Sequence, residues 1–204
     1  MAYTHFLCIP LVTELSRPQL SASLSTFTTD IARPNGFGIP EFVVRPLGTI
    51  HLTLGVMNLA GSKDIAKAIE VLQSIKPLIP TTPLKISLHG LGTFPAADPR
   101  HVDILFAQPR CHDYDFNALC HKIRHVFERT NIVDKTGPPL SLHATIVNAR
   151  KTRNGVIDAR KIIKKYRDYT WMRSIPLKKI GICRMGAEKK GRDKEYRMLA
   201  SIDI

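Results

Sequence analysis

Two short stretches hold the residue types that could do chemistry. In Gly48-Thr49-Ile50-His51-Leu52-Thr53-Leu54-Gly55-Val56 an imidazole and a hydroxyl stand two residues apart, and strand geometry would place them on one face roughly 6–7 Å apart. With a period of two, Thr49, His51 and Thr53 face one way, and Ile50, Leu52, Leu54 and Val56 the other. Leu140-Ser141-Leu142-His143-Ala144-Thr145-Ile146 repeats the pattern, with His143 and Thr145 opposite Leu140, Leu142, Ala144 and Ile146. One His on a half-buried strand is most often structural, and Thr is simply a good strand former. Two copies with the same spacing and facing predict a symmetric site, in which side-by-side strands bring two imidazoles to one substrate from opposite sides.

Phosphodiester hydrolysis suits such a pair. One imidazole takes a proton from the attacking water and the other delivers one to the leaving oxygen, and His is poised for either near neutral pH. The Thr hydroxyls donate to the non-bridging phosphate oxygens. This scheme needs no metal or cofactor. Two like-charged imidazoles around a phosphate should titrate as a coupled unit and give a bell-shaped rate profile. His5, His89, His101 and His112 have no such twin and are expected to be structural.

The composition admits a phosphate-bearing partner. Thirty Lys and Arg against seventeen Asp and Glu give a net charge of +13, which suits a phosphate-bearing partner as well as it suits a merely basic soluble protein, and argues against an acidic, self-repelling tail. Cys8, Cys111, Cys120 and Cys183 have no paired C-x-x-C spacing and read as reduced thiols. Cys111-His112 and Cys120-His121 with His125 match no familiar zinc spacing, so no metal site is expected. The opening residues lack a signal-peptide pattern, and no stretch reaches the roughly 20 apolar residues of a membrane span. A monomer in the cytosol, the nucleus or both is expected.

At 204 residues the chain should form one compact domain, or one domain of two similar lobes. Residues 3–12 read as a strand. A helix over 17–32 follows, capped by Ser16, with Pro18 in its first turn and Leu20, Leu24, Phe27 and Ile31 inward. Arg33-Pro34-Asn35-Gly36-Phe37-Gly38-Ile39-Pro40 is turn chemistry expected beside the site. Ser62 should cap a helix to about Lys76, with Ile65, Ile69, Leu72 and Ile75 buried. Strands are expected over 84–89 and 101–106, then a helix capped by Asp113 with Phe116, Leu119, Cys120, Ile123 and Phe127 inward. Lys135-Thr136-Gly137-Pro138-Pro139 turns into the second His-x-Thr strand. A basic helix over 158–169 and a hairpin of 177–185 with 194–202 complete an α+β fold of largely antiparallel sheet.

These residues carry a resemblance. His51-Leu52-Thr53-Leu54 and His143-Ala144-Thr145-Ile146 resemble the paired H-x-T-hydrophobic signatures of the 2H phosphoesterase superfamily. Phe6-Leu7-Cys8-Ile9-Pro10, Leu91-Gly92-Thr93-Phe94 and Ile182-Cys183-Arg184-Met185 extend it across nearly the whole chain, toward the 2H domains of A-kinase anchoring protein seven and a related coactivator subunit. The resemblance implies a bilobal α+β fold, two pseudo-symmetric lobes of antiparallel sheet with flanking helices around a central cleft. It implies metal-independent hydrolysis of RNA-type phosphodiesters, either 2′,5′-linked oligonucleotides or 2′,3′-cyclic phosphates, with release of a nucleotide product. Carried over by position, His51 and His143 become the acid/base pair and Thr53 and Thr145 the phosphate ligands. Either His could be the base. The chain lacks the coactivator's RNA-binding domain and any kinase-anchoring helix, so those adaptor functions are not expected.

Phe6, Phe94 and Met185 are candidates to stack a substrate base, since an aromatic or thioether wall does so without reading sequence. The competing reading makes all three core residues. Lys161, Lys164, Lys165, Lys189, Lys190 and Arg192 could follow a phosphate backbone or be solvated faces. An alternative function is a nucleotide- or RNA-binding module on the same fold without turnover.

Overall fold

The structure is a computed structural model and describes residues 3–33, 36–95, 97–137 and 139–204. Pro34, Asn35 and Pro138 of the two expected turns lie outside the described residues. The chain runs β1 (His5–Pro10), α1 (Arg17–Ala32), β2 (His51–Met57), α2 (Ser62–Ser74), β3 (Lys85–Gly92), β4 (Ile104–Arg110), α3 (Phe116–Arg129), β5 (Ala144–Asn148), α4 (Arg160–Lys165), β6 (Thr170–Pro176), β7 (Lys179–Arg184), β8 (Glu188–Lys190), β9 (Asp193–Glu195) and β10 (Met198–Asp203). Among the described residues eight strands form one sheet, in the order β10-β7-β1-β2-β5-β4-β3-β6, and β8 and β9 form a separate hairpin. Every pairing is antiparallel.

The sheet has two halves. Within each, strands pair over several residues, whereas β2 and β5 meet only at Leu52 and Ala144. A pseudo-twofold axis passes there, because β1-α1-β2 on one side matches β4-α3-β5 on the other. The helices cross the seam: α1 leaves β1 yet packs on β6, and α3 leaves β4 yet packs on β2. Each half therefore covers its partner's sheet with its own helix. Leu52 and Ala144 are fully buried in the shared core, where apolar contact rather than a long hydrogen-bonded ladder holds the seam.

The apolar stripes explain the helices. In α1, Leu20, Leu24, Phe27 and Ile31 are buried and Pro18 sits in the first turn, as the spacing predicts. Ser16 does not cap it; its hydroxyl donates to the Leu11 carbonyl at 2.6 Å. α3 buries Phe116, Leu119, Cys120, Ile123 and Phe127, but its cap is Asp115, which accepts from the Ala118 N–H at 2.9 Å, and not Asp113. In α2 the cap position is Gly61, and the buried positions are Ala68, Val71 and Leu72, with Ile65 and Ile69 half-buried. A small residue, Ala68, faces the sheet because the helix lies close to it, which the spacing of large side chains does not reveal.

Strand boundaries moved most. The strand expected at 101–106 begins at Ile104, leaving His101 exposed, and β6 with its buried Trp171 went unanticipated. In β2 a bulge places Cys8 opposite Thr53 but Leu7 opposite Gly55. The extra residue reverses the alternation, so Val56 packs with Phe6, Cys8 and Cys183 instead of beside Leu54. Leu140 to His143 precede β5 and are not part of it.

Across the crossing, Lys165 Nζ reaches buried Asp30 of α1 at 2.6 and 2.7 Å, and the Tyr166 hydroxyl donates to the same carboxylate at 3.1 Å. Lys165 is thus a strut between α1 and α4 rather than a free cation. Asp30→Leu should cost about 1–3 kcal/mol, since buried Tyr166 loses its acceptor while Lys165 returns to water. Asp30→Asn, which keeps an acceptor, should cost less. Urea unfolding of both variants measures the difference.

Candidate active site

The seam places the four predicted residues together. His51 and Thr53 flank Leu52, His143 and Thr145 flank Ala144, and the Leu52–Ala144 pairing aligns the two motifs antiparallel. All four side chains are half-buried. Each imidazole is aimed by the same local device. His51 Nδ1 lies 2.7 Å from the Thr49 carbonyl and His143 Nδ1 lies 2.7 Å from the Ser141 carbonyl. A carbonyl only accepts, so Nδ1 carries the hydrogen in both rings and Nε2 is left for chemistry. His51 Nε2 stands 3.1 Å from the Thr53 hydroxyl.

The turn that supplies the Thr49 carbonyl is a single 3₁₀ turn over Leu47–Thr49, tied by the Thr49 hydroxyl to the Pro46 carbonyl at 2.7 Å. Aromatic rings wall each imidazole. Phe6 and Tyr196 stand 4.9 and 5.3 Å from the His51 ring, and Phe94 and Phe106 each stand 5.1 Å from the His143 ring. Burial between these walls is the largest cause pushing the His51 pKa down, to about 4. Its Nδ1 hydrogen bond pulls the other way, and the charges of Arg45 and His143 add to the depression. His51 is therefore neutral at neutral pH.

The three residues expected to stack a base fare differently. Phe94 is half-buried between His143 and Phe106, at the cleft. Phe6 is only 2% exposed and lies behind His51 and Tyr196, so it supports the imidazole and offers no free face. Met185 is 37% exposed, with its N–H on the Thr4 carbonyl, and does not line the hollow beside His51, where Met198 stands instead. The loop around Gly36 and Gly38 is not beside the site either: Phe37 lies under Lys165 of α4.

Two residues at the cleft escaped sequence reasoning. Tyr196 follows β9, and Arg45 Nη2 donates to its hydroxyl at 2.7 Å. The Arg45 N–H reaches across the seam to the Ile146 carbonyl at 2.8 Å. Only a positive charge in a turn and an aromatic in a basic run mark them in sequence, and neither signal separates them from surface residues. Gly48 is what seats Tyr196. Its N–H donates to Asp193 at 2.8 Å, and a Cβ there would stand 2.7 Å from the Lys194 carbonyl.

Beneath His51, Cys8 and Cys183 are buried thiols with sulfurs 3.6 Å apart. Among the described residues no group of three His, Cys, Asp or Glu is placed to hold a metal ion, and no helix is long and apolar enough to cross a membrane.

Known proteins share this architecture. LigT of Escherichia coli, solved with 3′-AMP, superposes with a TM-score of 0.64 at 14% identity, covering 99% of this chain and 98% of that one. A Thermus thermophilus protein gives 0.62 at 15% identity, over 98% and 97% of the two chains. Kluyveromyces marxianus Usb1 with uridine monophosphate gives 0.50 at 13% identity, over 97% and 98%. These likenesses establish the fold, that of the LigT-like 2H phosphoesterases. In sequence, an uncharacterised protein of Schizosaccharomyces pombe is 25% identical over 76% of both chains. Activating signal cointegrator 1 complex subunit 1 of Mus musculus is 23% identical over 72% of this chain, which spans only 42% of that protein. The model of the AKAP7 2'5' RNA ligase-like domain matches residues 3–204, and the chain belongs to that family.

Proposed function

We propose that the chain is a metal-independent RNA phosphodiesterase, acting on 2′,5′-linked oligonucleotides or 2′,3′-cyclic phosphates as a monomer in the cytosol or nucleus. The observation that carries this reading is the matched pair of Nδ1–carbonyl hydrogen bonds, one on each side of the Leu52–Ala144 seam, which leaves the Nε2 of each ring for chemistry. His51, neutral down to about pH 4, is the base. Its Nε2 takes a proton from water, the water oxygen bonds to phosphorus, and the bond from phosphorus to the leaving oxygen breaks. His143, which enters the step with a hydrogen on both ring nitrogens, gives that oxygen its Nε2 proton, and exchange with solvent then takes the proton from His51 and returns one to His143. Thr53 and Thr145 hold the non-bridging oxygens, and Arg45 offsets the charge that grows on them.

A base, an acid and phosphate donors are all supplied by side chains, so no step is left for a metal. A non-catalytic phosphate binder is favoured less, because a site built only to hold an anion needs hydrogen-bond donors and has no use for a matched acid and base.

Turnover in excess chelator of a 2′,5′-linked oligoadenylate, its 3′,5′ isomer and a 2′,3′-cyclic nucleotide tests the reading. We expect cleavage of the first or third. Thr53→Val and Thr145→Val should each lower kcat about 10–100-fold, by loss of a hydrogen bond that strengthens in the transition state. Binding of all three without turnover would leave the chain a binding module.

A further inference from the structure

Beyond the catalytic cleft, two hollows share a wall. The first, about 720 Å³, begins beside His143, where Phe106, Ser141 and Leu142 line it, and extends to Arg110, His112 and Asn117. The second, about 620 Å³, is lined by His121, Lys122, Arg124, His125 and Lys135. Leu140 lines both. Asn117, His121 and His125 recur at every fourth position of α3, so one helix face runs from the first hollow into the second. That face covers about 12 Å at 1.5 Å per residue, which is longer than one nucleotide needs. Lys135, Gly137, Pro139, Leu140 and Ser141 form the opposite wall.

The charge along this groove is one-sided. Its carboxylates are engaged: Asp115 caps α3, and Glu128 accepts from Arg124 at 2.6 Å and stands 3.8 Å from His125. Lys122 and Lys135 are exposed and make no ion pair among the described residues. A cationic trough leading out of a phosphodiester site fits a chain with further phosphates and does not fit a lone cyclic nucleotide.

We infer that the groove between α3 and the wall of Lys135, Pro139 and Leu140 is an extended subsite for a single-stranded oligonucleotide. The nucleoside next to the scissile phosphate sits in the first hollow, and the following phosphates lie along Lys122 and Lys135. This rests on the phosphodiesterase reading and narrows its substrate to an oligonucleotide several units long.

The test uses 2′,5′-linked oligoadenylates of two to five units. KM should fall about tenfold from dimer to tetramer. Raising salt from 50 to 200 mM should weaken the tetramer about sevenfold more than the dimer, the effect of two added phosphate contacts on a single strand. Lys122→Glu with Lys135→Glu should shrink the dimer-to-tetramer ratio below about threefold, while Lys63→Glu with Lys67→Glu on α2, an equal charge change elsewhere, should keep it. A dimer cleaved as efficiently as the tetramer overturns the subsite. So does a double variant that keeps the full ratio, or polyglutamate of equal charge competing as well as the tetramer. If wild type cleaves nothing, the phosphodiesterase reading fails, and anisotropy titration of the same labelled series reads the length dependence directly.

Discussion

His51→Ala and His143→Ala should each reduce kcat/KM by roughly 10²–10⁴, the usual worth of positioned acid or base catalysis. The double variant should be little worse than either single one, because one half of an acid–base relay does not run alone. The pH dependence separates the roles. As base, His51 must be neutral, and in the free protein it accepts a proton only as pH falls toward about 4. The acidic limb of kcat/KM should therefore lie near that value, well below the 6.5 of an ordinary imidazole. In kcat the same limb should move upward, since bound phosphate favours the imidazolium. Arg45→Met removes a charge that depresses His51 and should also raise the limb. An acidic limb near 6.5 in wild type, or one that vanishes in His143→Ala and persists in His51→Ala, would assign the base to the other ring.

Gly48→Val should lower kcat/KM about 10–100-fold with only a modest loss of stability. A Cβ at position 48 would meet Glu195 Cγ at 2.6 Å and the Lys194 carbonyl at 2.7 Å. The Glu195 side chain can swing aside, but the carbonyl belongs to β9, so the strand must lift. Tyr196, one residue on, then leaves the edge of the His51 ring, and the Thr49 carbonyl that aims Nδ1 shifts with its turn. Misplacement of about 1 Å at such a site costs on the order of a hundredfold. The hairpin of β8 and β9 is largely exposed, so its displacement buries little less apolar surface. Thermal melts beside steady-state rates distinguish this from unfolding: a variant with wild-type kcat/KM would show that Tyr196 does not shape the site. Gly48→Ala should fall between the two.

The largely antiparallel α+β architecture and the inward faces of α1 and α3 were legible because each rests on local periodicity, whereas the bilobal arrangement came from the resemblance to a known family. Side chains two apart share a strand face, and side chains three and four apart share a helix face, whatever else the chain does. Where periodicity was interrupted, reading failed. The bulge opposite Leu7 and Cys8 turned Val56 onto Phe6, Cys8 and Cys183, and Ala68 faced the sheet where Ile65 and Ile69 were expected. Phe6 shows a subtler limit. Its large apolar side chain suits either a substrate wall or a support, and only its neighbours decide; Tyr196 arrives from nearly the other end of the chain to cover it.

The sequence by itself determined that two imidazole–hydroxyl pairs exist and that each can occupy one face of a strand. Tertiary structure alone decided that they meet, through one residue pair, Leu52 and Ala144, at the seam between halves that exchange helices. It also made them unequal. The symmetry of the motifs extends to each Nδ1–carbonyl bond, but the burial of His51 against Phe6 and Tyr196, the largest cause of its neutrality, comes from residues distant in the chain. Desolvation and Coulomb interaction depend on distance in space, and the order of residues fixes that distance only after folding.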